Sequence, residues 1–426
     1  MLDLDLFDKP EYVIKRLEYR NVKNAKELVN KVSELNANRK QIQKDLDTIL
    51  SNINASTKDI ERLISSSNND DNVDVLKVKV REQREKSKSL KNELQIVENE
   101  LKKALYDIPN IPNDNVPVGK NSNDNKVVFQ TDIPKVENKI PHYELIKQFD
   151  IIDFELGNKL MGAGFPVYKG DGARLQRALI NFFLDEAKEA GFKEHELPII
   201  CNEDSFYGTG QLPDKENQMY HVDDKFYLIP TAEVPLTNIY RNCIVNEDDL
   251  PIKITGYTPC FRREAGSWGK DVRGLNRLHQ FDKVEIVEIV KPEESYKVLE
   301  EMRSYVEGLV QKLELPYRVL ALCTGDLGFN SAFTYDIEVY SIGQDRWLES
   351  SSISNFETYQ SNRLNLRYKD KNNEKHQLHT LNGSALALPR IMAALIEKNY
   401  CNNEIKIPNT LQKYTGFTAI KKQITE

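Results

Sequence analysis

The sequence has few of the features that mark secreted, zinc-binding or membrane proteins. Its five cysteines are scattered, with no C-x-x-C pair and no cysteine–histidine cluster, at Cys201, Cys243, Cys260, Cys323 and Cys401. We therefore expect reduced thiols and no zinc site, as in a cytoplasmic protein. The start, MLDLDLFDKP, is acidic and lacks the basic and apolar parts of a signal peptide. No apolar run approaches the ~20 residues that span a bilayer, so no membrane partner is expected.

Two nucleotide-binding signatures are also missing. The sequence contains neither G-x-x-x-x-G-K-[ST] nor a G-x-G-x-x-G that opens a helix, so any ATP site must be built from side chains on a sheet. The net charge of −7 argues against a protein that coats nucleic acid indiscriminately. The charge is uneven, since residues 1–109 carry 21 basic and 20 acidic side chains, against 38 and 46 in the remainder. A polyanion should therefore prefer the N-terminal part.

The stretch from about residue 24 to 108 has the pattern of two long helices. Apolar residues recur at alternating spacings of four and three, with polar interruptions at Arg39, Gln83 and Ser87. The apolar positions are Leu28, Val32, Leu35, Ile42, Leu46, Ile49, Ile53, Leu76, Val80, Leu90, Leu94, Val97, Leu101 and Ile108. Between the helices, SSSNNDDN at 65–72 favours a turn. The pattern predicts an antiparallel coiled-coil hairpin about 50 Å long, at 1.5 Å per residue.

The second helix also carries a basic run, in which Glu82 and Glu85 are the acidic exceptions. Its members are Lys77, Lys79, Arg81, Arg84, Lys86, Lys88 and Lys91. A solvated charged face would explain such a run. Contact with nucleic acid is favoured because the excess has one sign and lies near the tip of a projecting arm in an acidic protein.

After residue 109 the composition changes. Residues 110–142 are rich in Pro, Asn and Asp, which indicates a linker. Beyond it, a helix is expected around 175–187, with Gly191 as its C′ residue. Alternating stretches predict strands at 225–229, 252–257, 281–290, 317–323 and 335–340. Because no regular βαβ rhythm separates them, the fold class is α+β, with an antiparallel β-sheet flanked by helices.

The candidate functional segment reads FRREAGSWGKDVRGLNRLHQFDKVE. Two alternating stretches flank a loop whose glycines are Gly266, Gly269 and Gly274. In paired strands, Arg262 and Glu264 would share one face of the first strand. Phe281, Lys283 and Glu285 would share one face of the second. Such a surface could hold a phosphate, a base and an ammonium or hydroxyl group, although an exposed hairpin laced with salt bridges would have the same pattern.

The segment resembles motif 2 of seryl-tRNA synthetases of bacterial type, a class II aminoacyl-tRNA synthetase family. Further matches are TGQLP at 209–213, TAEVPLTN at 231–238 and HTLNGS at 379–384. The resemblance implies an N-terminal coiled-coil arm that binds tRNA, a linker and a class II catalytic domain. Their ranges would be 1–109, 110–142 and 143–426, with motif 1 at about 170–200, motif 2 at about 258–285 and motif 3 at about 379–396. Motif 1 forms the dimer interface in such enzymes, so a homodimer is expected.

The implied activity is that of a serine–tRNA ligase. ATP would activate L-serine to seryl-adenylate, and the seryl group would pass to the terminal ribose of tRNA(Ser), with tRNA(Sec) as a second candidate acceptor. The attack brings an anion toward a triphosphate, so the site must neutralise charge and align both reactants. No side-chain nucleophile is required. The arm implies tRNA contact through Lys77, Lys79, Arg81, Arg84 and Lys88.

The resemblance also implies roles for single residues. Arg262, Glu264 and Arg390 would be catalytic, with Arg262 on the α-phosphate and Arg390 on the γ-phosphate. The ATP-binding set would be Arg262, Arg263, Glu264, Leu278, His279, Gln280, Phe281, Glu349, Ser350, Ser351, Ser352 and Arg390. The serine-binding set would be Thr231, Ala232, Glu233, Glu285 and Ser384. Glu349 and Ser352 would bind Mg²⁺, the metal cofactor expected beside ATP. A regular strand would turn these two to opposite faces, so a bend or bulge is predicted between them.

Three departures from the family pattern remain. Ala385 and Pro389 stand where glycine is usual, and residues 361–363 read Ser-Asn-Arg where Ala-Arg-Arg is expected. Pro389 must therefore fall in the first turn of a helix or kink it. The role of Arg363 stays open.

Two other functions remain as alternatives. A paralogue that charges a carrier protein would have no use for the basic arm. A scaffold with a dead catalytic domain should have lost one of five residues that are all present, namely Arg262, Glu264, Glu285, Glu349 and Arg390.

Overall fold

The computed structural model describes residues 1–65, 71–135, 139–223, 225–265 and 273–422. The chain divides into two compact units. One comprises Leu2–Glu18 with Val22–Pro109, and the other Met1, Tyr19–Asn21 and Asn110–Glu426. Most of the predicted turn at 65–72 lies outside the described residues, as do Gly266 and Gly269 of the predicted loop.

The first unit is helical. After a 3₁₀ turn at Leu4–Asp8 come α1 (Pro10–Tyr19), α2 (Ala25–Ser65) and α3 (Asp71–Tyr106). Five residues separate α2, with 41 residues, from α3, with 36, so the two helices run antiparallel where they pack together. The predicted helical hairpin is confirmed.

The buried seam of α2 differs in detail from the prediction. Val29 and Asn36 are buried, whereas Leu28 and Leu35 are only half-buried. The seam therefore keeps a heptad spacing that passes through Arg39, whose Nε and Nη2 lie 3.3 and 3.2 Å from Asn36 Oδ1. A polar pair thus occupies one layer of a mainly apolar interface, in which Ser56 and Ser87 are also buried. Polar residues in such a seam fix register at some expense of stability.

The second unit is α+β. Its helices are α4 (His142–Phe149), α5 (Phe154–Leu160), α6 (Gly170–Glu189), α7 (Glu203–Thr209), α8 (Glu233–Asn238), α9 (Ser295–Lys312), α10 (Thr358–Arg363), α11 (Leu388–Asn399) and α12 (Asn409–Thr415). Further 3₁₀ turns lie at Ser122–Asp124, Glu247–Asp249 and Pro292–Glu294. None of the helices in the described ranges has the length and apolarity needed to cross a bilayer.

The strands of this unit begin with β1 (Lys126–Gln130), β2 (Ile152–Asp153), β3 (Val167–Tyr168), β4 (Lys193–Glu194), β5 (Ile200–Asn202), β6 (Tyr220–Asp223), β7 (Phe226–Leu228), β8 (Ile244–Asn246), β9 (Ile252–Phe261) and β10 (Gln280–Val290). They continue with β11 (Tyr317–Ala321), β12 (Phe333–Ser341), β13 (Arg346–Asn355), β14 (Arg367–Lys369), β15 (Lys375–His376), β16 (His379–Ala387), β17 (Tyr400–Cys401), β18 (Glu404–Lys406) and β19 (Ala419–Lys421).

The main sheet has eight strands in the order β1-β11-β12-β13-β16-β10-β9-β4. All neighbours in it are antiparallel except β4 and β9, which are parallel. The antiparallel sheet is confirmed, with one parallel strand at its edge. Central strands β13 and β16 were not among the predicted strands.

Helices α6, α9 and α11 pack on one face of this sheet in a single apolar cluster that includes Phe182, Val306 and Ile391. Helix α6 ends as predicted, because Gly191 follows it with φ +87°. On β10, Val284 and Ile286 point into the cluster, so their neighbours in the strand point to the opposite face. That opposite face of the sheet carries the cavity described next.

Candidate active site

A cavity of about 260 Å³ lies over the middle strands of the sheet. Its wall includes thirteen of the predicted site residues: Thr231, Glu233, Arg262, Glu264, Leu278, Phe281, Glu285, Glu349, Ser350, Ser351, Ser352, Ser384 and Arg390. Residues about 100 positions apart in sequence meet because β13 pairs with β16 and β16 with β10. Glu285, for example, lies opposite Ser384 in the β10–β16 register.

A buried ion pair occupies one part of the cavity. Thr231 Oγ1 donates to Glu285 Oε2 at 3.2 Å and accepts from Lys283 Nζ at 2.9 Å, and the Lys283 ammonium lies 2.5 Å from the same carboxylate oxygen. Lys283 shares the cavity face of β10 with Phe281 and Glu285, as period two requires. Sequence reasoning placed Lys283 on this face but gave it no role.

The second carboxylate of this part is Glu233, which is buried at the start of α8. Gln360 Nε2 donates to its Oε1 at 2.6 Å and Gln211 Nε2 to its Oε2 at 3.2 Å. Burial, reinforced by the nearby charge of Glu285, raises the pKa of Glu233 to about 7. Gln211, inside the TGQLP match, and Gln360 were missed as site residues.

Two guanidinium groups line another part of the cavity. The Arg262 guanidinium lies 5.2 Å from the centre of the Phe281 ring, and its Nε donates to Pro230 O at 3.4 Å. The Glu264 carboxylate pairs with Arg277, a wall residue that sequence reasoning did not assign. An arginine held over a ring can still present its outer nitrogens to an anion.

Arg390 reaches the cavity from the first turn of α11. Its Nε donates to Asn276 O at 3.1 Å and its Nη1 to Glu349 O at 2.6 Å. Pro389 is the second residue of the helix, where a missing N–H leaves no intrahelical bond unmade. Pro389 therefore falls in the first turn of a helix, the first of the two alternatives expected from the sequence.

Strand β13 has the irregularity that a shared face for Glu349 and Ser352 requires. Glu349 pairs with Glu338 and Ser351 with Ile337, which leaves Ser350 as an extra residue. Glu349 and Ser352 consequently both line the cavity. The hydroxyls of Ser350 and Ser351 instead donate to backbone carbonyls, at 2.9 and 2.6 Å.

Asp336 lies on β12, directly opposite Ser352 of β13. It was assigned no role from the sequence. Burial, and next the charge of Glu349, raise the pKa of its carboxyl well above the ordinary value. Its Oδ1 is buried without a hydrogen-bond partner among the described residues. Two carboxylates and a hydroxyl thus adjoin at one point, a donor set of hard oxygens.

The comparisons with known proteins agree with this geometry. A family model for the seryl-tRNA synthetase N-terminal domain matches residues 1–112, and one for the class II core domain of the G, H, P, S and T synthetases matches 218–399. The serine–tRNA ligase of Salinibacter ruber is 45% identical over 426 residues, covering 99% of each chain. The chain belongs to the seryl-tRNA synthetase family.

Other members of the family support the same conclusion. The serine–tRNA ligase of Akkermansia muciniphila is 44% identical over 99% of this chain and all of its own. The crystal structure of the Pyrococcus horikoshii seryl-tRNA synthetase complexed with ATP superposes with a TM-score of 0.90 at 33% identity, over the full length of both chains.

Four residues that the seryl-tRNA synthetase pattern suggested do not line the cavity: Ala232, Arg263, His279 and Gln280. Arg263 contacts Asn217 Oδ1 at 2.5 Å, away from the wall residues. The His279 ring stacks on Phe165, with centroids 5.4 Å apart, and its Nδ1 lies 2.9 Å from the Tyr220 hydroxyl. Alternation along β10 explains Gln280, which points opposite to Phe281.

Arg363, one of the departures from the seryl-tRNA synthetase pattern, is buried outside the cavity. Its Nη1 donates to Tyr207 O at 3.1 Å and Leu212 O at 3.3 Å, and its Nη2 to the Tyr359 hydroxyl at 2.9 Å. The bonds to Tyr207 and Leu212 tie α10 to α7 and to the TGQLP segment that supplies Gln211.

The candidate RNA-binding residues lie on α3 of the first unit, and all are exposed. Lys77, Arg81, Arg84 and Lys88 follow each other at spacings of four, three and four, so they form one stripe along the helix. Lys79 lies off that stripe. Lys77 Nζ contacts Asp74 Oδ1 at 3.1 Å, an exposed pair that an RNA phosphate can replace at little expense.

Proposed function

We propose that this chain activates L-serine with ATP to seryl-adenylate and transfers the seryl group to the 3′-terminal ribose of tRNA(Ser). The observation that carries the proposal is one cavity that combines buried carboxylates, Glu233 and Glu285, with two arginines, Arg262 and Arg390. The carboxylates suit an amino acid's ammonium and hydroxyl, and the arginines suit a triphosphate.

In this mechanism no side chain forms a covalent intermediate. Arg262 holds the α-phosphate while the serine carboxylate attacks phosphorus, and pyrophosphate leaves toward Arg390. The two arginines neutralise the charge that the approach of two anions creates. Glu264 positions the nucleotide, and Phe281 offers its ring to the base. The ribose hydroxyl of tRNA then attacks the seryl carbonyl, the bond from that carbon to the phosphate oxygen breaks, and AMP and the hydroxyl proton are released.

Selection of serine rests on the polar groups around Glu285. Thr231, Glu285 and Ser384 would bond the substrate's hydroxyl and ammonium. Alanine would leave these buried groups unpaired, which discriminates by ~10⁴ or more. Threonine has the same hydroxyl, so its extra methyl group must be excluded by shape.

Magnesium fits the oxygen set on β13. Glu349 and Ser352 would hold the ion, and the unpartnered Oδ1 of Asp336 supports a cation at this place. When bound, Mg²⁺ supplies positive charge to phosphate oxygens. The protein's part is to keep the two oxygen ligands on one face through the bulge at Ser350.

The two units would divide the work. The helical unit, about residues 1–109, would bind the tRNA body through Lys77, Lys79, Arg81, Arg84 and Lys88, and residues 143–426 would carry the chemistry beyond a linker at 110–142. The protein would act in the cytoplasm as a homodimer formed through motif 1. Leu160 and Met161, at the end of α5, are 70% and 66% exposed, and these apolar side chains support a partner surface just before motif 1 in the sequence.

Two assays test the proposal. Serine-dependent exchange between ATP and pyrophosphate reports activation alone, and added tRNA reports transfer. Exchange and charging of tRNA(Ser) are both expected. Exchange without charging of any tRNA would favour a carrier protein as acceptor, and no exchange would contradict the catalytic role altogether.

A further inference from the structure

A largely buried hydrogen-bond network connects several segments of the catalytic unit beside Arg390. It joins the first residue of α4 (His142), the last part of α11 (Glu397) and the segment Gly274–Asn276 that precedes β10. The side chains of His142 and Glu397 have no solvent exposure. Neither residue lines the cavity, and no family motif drew attention to them.

The partners of His142 fix its tautomer. Leu275 N–H donates to His142 Nε2 at 2.9 Å, so this nitrogen carries a lone pair. The proton of the neutral ring is therefore on Nδ1, which lies 2.8 Å from Glu397 Oε1 and donates to it. The ring thus connects a carboxylate to a single backbone amide.

Glu397 is itself firmly held. Its Oε1 also accepts from His142 N at 2.9 Å, and its Oε2 accepts from Ser341 Oγ at 2.5 Å and Gly343 N at 2.9 Å. Four donors from two segments, His142 and residues 341–343, leave the carboxylate one orientation. The His142 ring is therefore anchored on the side away from Leu275.

On the other side, the network reaches the cavity wall through the residue after Leu275. Asn276 O accepts from Arg390 Nε at 3.1 Å. The Asn276 amide exchanges two hydrogen bonds with Gln344, at 2.7 and 3.2 Å. His142 thus holds the backbone at Leu275, and Gln344 holds the side chain of Asn276. Arg390 donates to the backbone carbonyl of Asn276, which these two contacts position.

The fit around the ring is close. Gly274 has φ +69°, and a Cβ there would lie 2.3 Å from His142 Nε2. Only glycine lets the chain pass this near to the ring and then present the Leu275 amide to it.

From these contacts we infer that His142 is a positioning residue for ATP binding. It sets the backbone at Leu275–Asn276 and, through the Asn276 carbonyl, the direction in which the Arg390 guanidinium points. The inference rests on the proposed phosphate role of Arg390. His142 touches neither substrate nor reacting atoms.

Two substitutions at His142 separate its two bonds. In His142→Asn, an amide nitrogen replaces Nδ1 toward Glu397, but no acceptor reaches Leu275 N–H. In His142→Gln, the amide oxygen extends to the place of Nε2. We expect His142→Asn to raise the KM for ATP about tenfold in serine-dependent exchange, with the KM for serine within about twofold of the parent, because a displaced guanidinium binds phosphate less well. His142→Gln should restore most of the ATP affinity.

A double-mutant cycle with Arg390→Ala decides whether the effect passes through the guanidinium. If it does, adding His142→Asn to Arg390→Ala leaves the KM for ATP unchanged. Effects that multiply in the double variant, or equal rises in the KM for ATP and serine, would overturn the inference. An unchanged KM for ATP in Arg390→Ala alone would instead contradict the proposed phosphate role.

A milder variant keeps the test decisive if His142→Asn does not fold. Gln344→Ala removes both bonds to the Asn276 amide at a partly exposed position. It also removes the contacts of Gln344 Nε2 with Ser341 Oγ at 2.8 Å, His142 Nδ1 at 3.3 Å and Glu397 Oε1 at 3.5 Å, but it keeps the direct His142–Glu397 hydrogen bond. It should raise the KM for ATP about threefold without a change in the KM for serine. A KM for ATP equal to the parent's in a variant with the parent's thermal stability would count against the network.

Discussion

The two units of this protein differ in how each is stabilised internally. The long helices of the helical unit meet along one seam, whose buried residues recur at heptad spacing and include Leu46 on α2 and Val97 on α3. The catalytic unit instead brings Thr231, Glu285 and Arg390 to one cavity by strand pairing. Because its contacts repeat every seven residues, the first unit can change in length by whole heptads. The second unit depends on the register in which its strands pair.

Removal of the hairpin gives the largest expected effect. A chain that lacks residues 30–100 should lose tRNA charging to below detection while it keeps serine-dependent pyrophosphate exchange within about threefold, since activation needs only the catalytic unit. Comparable losses of exchange and charging would show that the hairpin does more than bind tRNA.

A charge-matched pair of variants sharpens this test without a deletion. Replacing Lys77, Arg81, Arg84 and Lys88 with glutamine should weaken tRNA binding and flatten its dependence on salt, because fewer counterions are released. The control removes four exposed lysines of α2 with the same change in charge, at Lys26, Lys31, Lys44 and Lys58. Equal salt slopes in the two variants would rule out a specific role for the α3 stripe.

Within the catalytic unit, Arg262→Ala should lower kcat/KM for pyrophosphate exchange by roughly 100-fold, or about 3 kcal/mol, as expected for one preorganised donor to developing charge. Arg263→Ala is the matched control, since that side chain contacts Asn217 outside the cavity. Near-parent exchange in Arg262→Ala, or equal losses in both variants, would contradict the phosphate role.

The position of the seam can be tested with two leucines of α2. Leu46 is 4% exposed, so Leu46→Ala should lower the free energy of opening the hairpin by about 3 kcal/mol. Leu35→Ala, at a half-buried position, should cost under about 1 kcal/mol. Hydrogen exchange of hairpin amides in the full chain measures both. Equally large costs in the two variants would restore the seam expected from the sequence, which includes both leucines.

The smallest effect concerns the buried carboxyl of Glu233. Its pKa in the folded protein, about 7, exceeds the ordinary 4.5, so the unfolded state loses its proton first as pH rises. The free energy of unfolding should therefore fall between about pH 4.5 and 7, by on the order of 2 kcal/mol from this group. Glu233→Gln should remove that part of the slope, as measured by urea unfolding across this range. A parallel pH dependence in parent and variant would show that Glu233 does not titrate in this range.

The elements that could be predicted from the sequence are those whose apolar residues follow a short periodic pattern. Both long helices follow from their heptads, although adjacent leucine and valine at 28 and 29 left the seam ambiguous by one position. Strands β9 to β12 follow from alternation. Strand β16 does not, since eight of its nine residues are buried and a strand covered on both faces has no alternating pattern. The eight-stranded order lies beyond such reasoning because pairing joins segments far apart in the chain.

For the site, the resemblance to family motifs identified most of the cavity residues. The structure added the residues that hydrogen-bond or pair with them. Arg277 and Gln360 have no distinctive spacing, and their partners Glu264 and Glu233 are 13 and 127 positions away. Strand alternation placed Lys283 on the site face and could have removed Gln280 from the ATP-binding set. Nothing local in the sequence indicates that Asp336 adjoins Ser352, because that depends on which residues of β12 and β13 pair.

The extra residue at Ser350 has an evolutionary consequence. Loops elsewhere in the catalytic unit can gain or lose codons and keep the sheet intact, but loss of one codon here would restore a regular ladder and turn either the glutamate or the serine away from the nucleotide. Descendants of this gene can vary residue 350 only as far as its buried place allows, where the Ser350 hydroxyl donates to Ile337 O at 2.9 Å. They cannot vary the number of residues between 349 and 352.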